Sequence, residues 1–289
     1  MEAHVNNSDN LAAALQEFED YLYLNELTEQ TINKYMIDLK QFSAMLNQYG
    51  VNNLNSLNPK ILYKCRDELM KKYKIATVAG KIITINKFLN YVGYENKLKV
   101  PKIQNKSSVD DVMSIKQYKA LLRWSKKEDP SEKFYYIFKT LASTGMRISE
   151  LQYLTLKAVN EGMIREINSK GKIRDIPISQ KICKSLKEYC ICNNIVNEDE
   201  PIFITKFGNP MRANYIWRMM QKIGGKAKIP KKKLHPHTLR HLFGKMYMEK
   251  YKNLSELADI LGHSSLNTTR IYTKTSINEK RSKMSDLGL

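Results

Sequence analysis

The chain has 289 residues, 42% of them hydrophobic, with a formal net charge of +19 and a pI near 9.6. That length suits two domains, and no apolar run reaches the roughly 18 residues of a membrane span. The N-terminus lacks the basic-then-apolar order of a secretory signal, so a soluble cytoplasmic protein is expected.

In chain order, residues 10–25 place Leu11, Ala12, Leu15, Phe18 and Leu22 at helical spacing. Thr28 is a candidate cap for a second helix, whose stripe is Ile32, Tyr35, Met36, Leu39, Phe42 and Leu46, ended by Gly50. Asn58-Pro59 opens a third helix with Ile61, Leu62, Cys65, Leu69 and Met70, and a fourth runs through about 76–93 with Val78, Ile82, Ile85, Phe88 and Leu89. Residues 8–100 are thus expected to form a compact helical bundle. Lys60, Lys64, Lys71, Lys72, Lys74, Lys81 and Lys87 fall in its later half, offering one basic face. Residues 101–112 show no periodicity and read as a linker between two domains.

The second domain, 113–289, opens at Ser114, a helix cap before Ile115. Residues 131–142 predict a buried helix, and Gly145 turns the chain into a helix starting near Arg147. The period then changes over 162–178, where Met163–Ile167 and Ile173–Ile178 flank a turn in the pattern of a β-hairpin. The remainder reads as helical. The expected fold class is mainly α, with a mixed α+β second domain holding one small antiparallel hairpin.

Charge is divided unevenly. Residues 1–112 hold 14 Lys and Arg against 13 Asp and Glu, whereas 113–289 hold 34 against 16. Such a skew implies a polyanion partner for the second domain, nucleic acid above all. The four cysteines, Cys65, Cys183, Cys190 and Cys192, are expected to be reduced, and Cys190-Ile191-Cys192 is too tight for the usual zinc spacing.

Four of the five histidines, His235, His237, His241 and His263, lie in one stretch, which also holds Arg240. Tyr272 follows nine residues after His263, and Arg147 sits in the earlier stretch Thr144–Leu151. Arginine grips phosphate without a metal, and histidine moves protons near neutral pH. Two arginines, histidines and a tyrosine are the parts needed to attack a phosphodiester with a phenol oxygen. A metal-binding reading of His237 and His241 lacks a carboxylate between them, and no metal or other cofactor is expected.

Arg147-Ile148-Ser149-Glu150-Leu151, His237-Thr238-Leu239-Arg240-His241, Leu261-Gly262-His263 and Tyr272 together resemble, in order and spacing, the boxes of the tyrosine recombinases, or phage integrases. The resemblance is greatest to the short Xer-type and transposon-type members. It implies an N-terminal helical, SAM-like core-binding domain and a catalytic domain forming a C-shaped clamp around DNA. It also implies that Arg147 and Arg240 hold the scissile phosphate and that Tyr272 is the nucleophile of a 3′-phosphotyrosyl intermediate. His237 and His263 would bond phosphate oxygens and shuttle the phenol proton, with Glu150 and His241 in support. Lys170, in the hairpin turn, matches the family's general acid, with Lys172 as the alternative. The implied partners are double-stranded DNA with inverted half-sites, a homodimer on each site and a tetramer in synapsis, in the cytoplasm with the bacterial nucleoid. A second recombinase or accessory protein is left open. The tail, with Ile277, Met284 and Leu287, would pack on a neighbouring protomer. The rival readings are a relaxing type IB topoisomerase and a non-catalytic DNA-binding protein of the same fold.

Overall fold

The computed structural model describes residues 10–102, 112–169, 172–263, 269–273 and 284–286. Lys170, Ile277 and Leu287 lie outside them. The chain divides into two compact units, Met1–Lys106 and Ser107–Leu289.

The first unit is a helical bundle. Its described helices are α1 (Leu11–Leu24), α2 (Glu29–Gln48), α3 (Pro59–Lys72) and α4 (Ile75–Tyr91). The side chain of Asn10 caps α1 by accepting the Ala12 N–H, and Asn58 caps α3 by accepting from Ile61. Pro59 occupies the first position of α3, where its missing N–H is harmless. Thr28 stands at the N-cap of α2, but its hydroxyl pairs with that of Thr31 rather than with a backbone N–H. The periodic apolar faces meet in one core around Phe18, Ile32, Leu39, Phe42, Leu46, Leu69, Ile82 and Phe88. Within α1 the buried small residue is Ala14, and Ala12 is exposed. Lys81 leaves the basic face expected of this unit, because it is paired at 2.6 Å with the buried Asp38. Lys60, Lys64, Lys71, Lys72, Lys74 and Lys87 remain exposed.

In the second unit, α5 (Ile115–Glu128) begins with a capping box, in which Ser114 Oγ accepts from Gln117 N and Gln117 Oε1 accepts from Ser114 N. Helix α6 (Lys133–Thr144) is central, packing on α5 and on the later helices α8 (Gln180–Cys192), α9 (Ala213–Lys226) and α10 (Pro236–Tyr251). It ends at Gly145, whose φ of +66° suits glycine. A Cβ there would stand 2.5 Å from Phe243 and 2.8 Å from Leu261, so the end of α6 is pressed against α10 and α11 (Leu254–Leu261). The helix expected from Arg147 onward is a 3-10 turn, Ile148–Tyr153. Two residues past its end, the side chain of Thr155 caps α7 (Leu156–Glu161).

The expected hairpin is present as β1 (Met163–Ser169) and β2 (Lys172–Pro177), antiparallel, with register from Met163 opposite Pro177 to Ser169 opposite Lys172. A bulge falls between Ile164 and Ile167. The inward face carries Ile164, Ile167, Ile176 and Ile178, which join the core of this unit with Ile137, Phe138, Leu154, Ile216, Met220 and Leu239. Met284 is exposed. The described cysteines are all free. No helix among the described residues is long and apolar enough to cross a membrane.

Candidate active site

The site forms where the C-terminal end of α11 meets α10, the 3-10 turn and β2. A helix end leaves carbonyls without intrahelical partners, and the macrodipole makes that end negative. Here three consecutive carbonyls accept from three different arginines. Arg174 Nη1, from β2, donates to Ile260 O. Arg240 Nη2, from α10, donates to Leu261 O at 2.5 Å. Arg147 Nη2, ahead of the 3-10 turn, donates to Gly262 O at 3.0 Å. Arg240 Nη1 also reaches Gly145 O at 2.8 Å, which ties in the end of α6.

One carboxylate faces this group. Glu150 is 1% exposed and accepts from Arg147 N at 2.7 Å and Arg147 Nη1 at 2.8 Å. It also accepts from Arg174 Nη2 at 2.7 Å. Burial pushes its pKa up, but the Arg147 N–H and the charges of Arg174 and Arg147 outweigh this and hold it below the ordinary carboxylate value. Three guanidinium groups against one carboxylate leave two positive charges in excess. Arg240, 1% exposed, shows the strain of that crowding: burial and the neighbouring Arg147 and Arg174 bring its pKa down to about 10, which still leaves it charged at neutral pH. A pocket with surplus buried cations and oriented N–H donors is complementary to a phosphate, and more so to a transition state with extra negative charge.

Gly262 closes α11 with φ +62°. A Cβ there would stand 2.6 Å from Arg174 Cδ and 2.8 Å from its Nε, so glycine is required by conformation and by space. The next residue, His263, is thereby aimed into the site, with Nδ1 2.8 Å from Thr269 Oγ1. Burial and the charges of Arg240 and Arg147 lower its pKa to about 4, so it is neutral at neutral pH.

Tyr272 lies in the 3-10 turn Arg270–Thr273, packed on α10. Its ring covers Gly244, where an added Cβ would be 2.7 Å from Cε1 and Cζ. Its hydroxyl is 3.0 Å from His241 Nδ1. Burial raises the phenol pKa to about 12, although Arg240 pulls the other way. Attack by this oxygen therefore needs a proton acceptor. His241 is neutral, its pKa lowered to about 4 by burial and by the neighbouring histidines and Arg240. It can accept that proton.

Of the residues expected from the sequence, Arg147, Glu150, Arg240, His241, His263 and Tyr272 come together. His237 is exposed and meets the edge of His241, ring centroids 4.5 Å apart. The partner of the Tyr272 hydroxyl is His241, which the resemblance treats as supporting, rather than His237 or His263. Among the described residues no group of three His, Cys, Asp or Glu comes together to hold a metal. Two other tyrosines of this region stand apart from the site's buried core: Tyr247 is half-buried and Tyr251 is 56% exposed. Sequence reasoning missed Arg174, Thr269 and Gly244. A signal for Arg174 existed, because it shares the inward face of β2 with Ile176 and Ile178, where a charge needs an explanation.

A family profile described as "Phage integrase family" matches residues 111–279, and one described as "Phage integrase, N-terminal SAM-like domain" matches 15–96. Tyrosine recombinase XerD of Staphylococcus aureus is 29% identical over 287 residues, covering 92% of this chain and 95% of the relative. Among solved structures, XerH site-specific recombinase bound to its difH substrate in a pre-cleavage complex superposes with a TM-score of 0.75 at 20% identity, covering 99% of each chain. A lambda integrase tetramer bound to a Holliday junction gives 0.74 at 16% identity, covering 94% of this chain and 81% of that one. These two likenesses show a shared fold.

Proposed function

The chain belongs to the phage integrase family, and on that premise we propose that it is a site-specific DNA recombinase that cleaves and rejoins strands through a phosphotyrosine at Tyr272. The observation that carries the reading is the assembly of three arginines and His263 at one helix end, with Tyr272 hydrogen-bonded to a neutral histidine beside them.

In the proposed reaction Tyr272 Oη attacks phosphorus and its proton passes to His241 Nδ1. The non-bridging oxygens draw on Arg147 and Arg240, with His263 and His237 as further donors. Arg240 is covered and bonded to two carbonyls, so holding phosphate requires it to exchange one of them. The bond to the 5′-oxygen breaks, and Lys170, or Lys172 as the alternative, supplies the leaving group with a proton. The 3′-phosphotyrosyl link conserves the bond energy, so the reverse attack by a 5′-hydroxyl needs no external energy source. We place two protomers on inverted half-sites, a tetramer in synapsis and a Holliday junction between strand exchanges, in the cytoplasm with the nucleoid. Basic surface of each unit would lie on the phosphates of the duplex.

The test is covalent capture. Nicked duplexes made from DNA flanking the gene are incubated with the protein in chelator, and denaturant-resistant adducts are sequenced. The expected result is one recurrent inverted-repeat site, and absence of any adduct would overturn the reading. Adducts at scattered sites with relaxation of supercoils by monomers would instead support the topoisomerase alternative.

A further inference from the structure

We propose that Arg174 is a positioning residue for the phosphate-binding arginines, holding Arg147 and the Gly262–His263 turn in place and giving the group of Arg147, Glu150 and Arg174 one surplus positive charge. The inference rests on the phosphoryl-transfer reading above and deepens it.

Arg147 has a difficulty as a phosphate ligand, because its nearest charge is a carboxylate. Glu150 takes both its backbone N–H and its Nη1. A buried ion pair of this kind is neutral as a unit and offers a phosphate little attraction. Arg174 changes the balance. Its Nη2 donates to the same Glu150 oxygen that accepts the Arg147 N–H, so the carboxylate is shared between two guanidinium groups and the trio carries one surplus positive charge. Its Nη1 meanwhile donates to Ile260 O, one residue before the carbonyl that receives Arg240 and two before the one that receives Arg147.

The planar fork of one arginine therefore bridges the carboxylate that orients Arg147 and the helix end that orients Arg240 and His263. A lysine has no such fork. The side chain is 9% exposed and packs over Gly262 at distances no Cβ could share. Its Nε is buried and without a hydrogen-bond partner, a cost that the two Nη links offset. β2 thus supplies a fixed frame to three residues from three other elements, and Arg174 acts on the phosphate only through them.

The experiment measures single-turnover cleavage of the captured half-site by wild-type protein, Arg174→Met and Arg174→Lys, with binding measured separately. Three duplexes are used: unmodified, methylphosphonate (one non-bridging oxygen of the scissile phosphate replaced by methyl), and bridging 5′-sulfur. Arg174→Met should bind normally and cleave the unmodified duplex roughly 10–100-fold more slowly, the range for groups that orient others. Arg174→Lys should fall between it and wild type. On the methylphosphonate, which has one negative charge fewer, the deficit of each variant should shrink at least several-fold. On the sulfur duplex, whose leaving group needs no acid, the deficit should persist. An undiminished rate, a deficit unchanged on methylphosphonate, or rescue by sulfur would overturn the proposal, the last by making Arg174 a prop for the Lys170 turn. If Arg174→Met does not fold, the Arg174→Lys comparison across the three duplexes decides in the same way. Failure of the wild type to form any adduct would count against the phosphoryl-transfer reading itself, so the two failures are distinguishable.

Discussion

Replacing Gly244 with Ala should separate the folding of α10 from the placing of the nucleophile. Gly244 lies mid-helix, where alanine is the better helix former by about 1 kcal/mol. Taken alone, the substitution would stabilise. The new Cβ, however, would stand 2.7 Å from Tyr272 Cε1 and Cζ and 2.9 Å from Cδ1. Carbon atoms rest at about 3.5–4.0 Å, so the ring must withdraw by about 1 Å. The Tyr272 hydroxyl is now 3.0 Å from His241 Nδ1, and that withdrawal takes it beyond hydrogen-bond range. A misplacement of this size typically lowers a rate by about 10²-fold. The expected outcome is unchanged half-site binding, a thermal midpoint within a few degrees of wild type, and adduct formation slowed about 10²-fold in single turnover on a nicked duplex. Cleavage at the wild-type rate would refute the reasoning, because it would mean that the Tyr272–His241 geometry plays no part in the reaction.

Gly262→Ala should instead disturb the arginine cluster, since φ +62° and a 2.6 Å approach to Arg174 both oppose a side chain; stability should fall by roughly 1–3 kcal/mol, read from denaturant unfolding. Affinity for DNA should drop by ~10³ or more between roughly 50 and 200 mM salt, because the second half of the chain carries 34 cationic against 16 acidic residues; a nearly flat titration would contradict it. His241 and His263 have folded pKa values of about 4, below the ordinary 6.5, so the unfolded chain binds more protons between those limits. Stability should therefore be level above about pH 6.5 and fall as pH is lowered toward 4, and His241→Gln should flatten part of that slope in thermal melts.

The helices were legible because each announces itself locally. The stripe from Ile32 to Leu46 and the caps at Asn58 and Ser114 all concern residues within a few positions of one another. The boxes around Arg147, Arg240, His263 and Tyr272 were legible as a set through their order and spacing. What joins them was not. Arg147 meets Gly262 across 115 positions and Arg174 meets Ile260 across 86, and no periodicity encodes such a meeting. Arg174 was hidden for a second reason: in a chain with 48 Lys and Arg, one more cation in a hairpin reads as surface until its inward register is counted. The 3-10 turn after Arg147 was missed because its residues suit an α-helix.

The central claim is that Tyr272 becomes covalently joined to DNA. The direct measurement is mass spectrometry of the peptide carrying the trapped adduct, made in parallel with Tyr272→Phe, which removes only the attacking oxygen. The account predicts the phosphodiester remnant on Tyr272 in the wild type and, in the Phe variant, normal half-site binding with no adduct. A remnant on any other tyrosine, or a denaturant-resistant adduct formed by Tyr272→Phe, would contradict it.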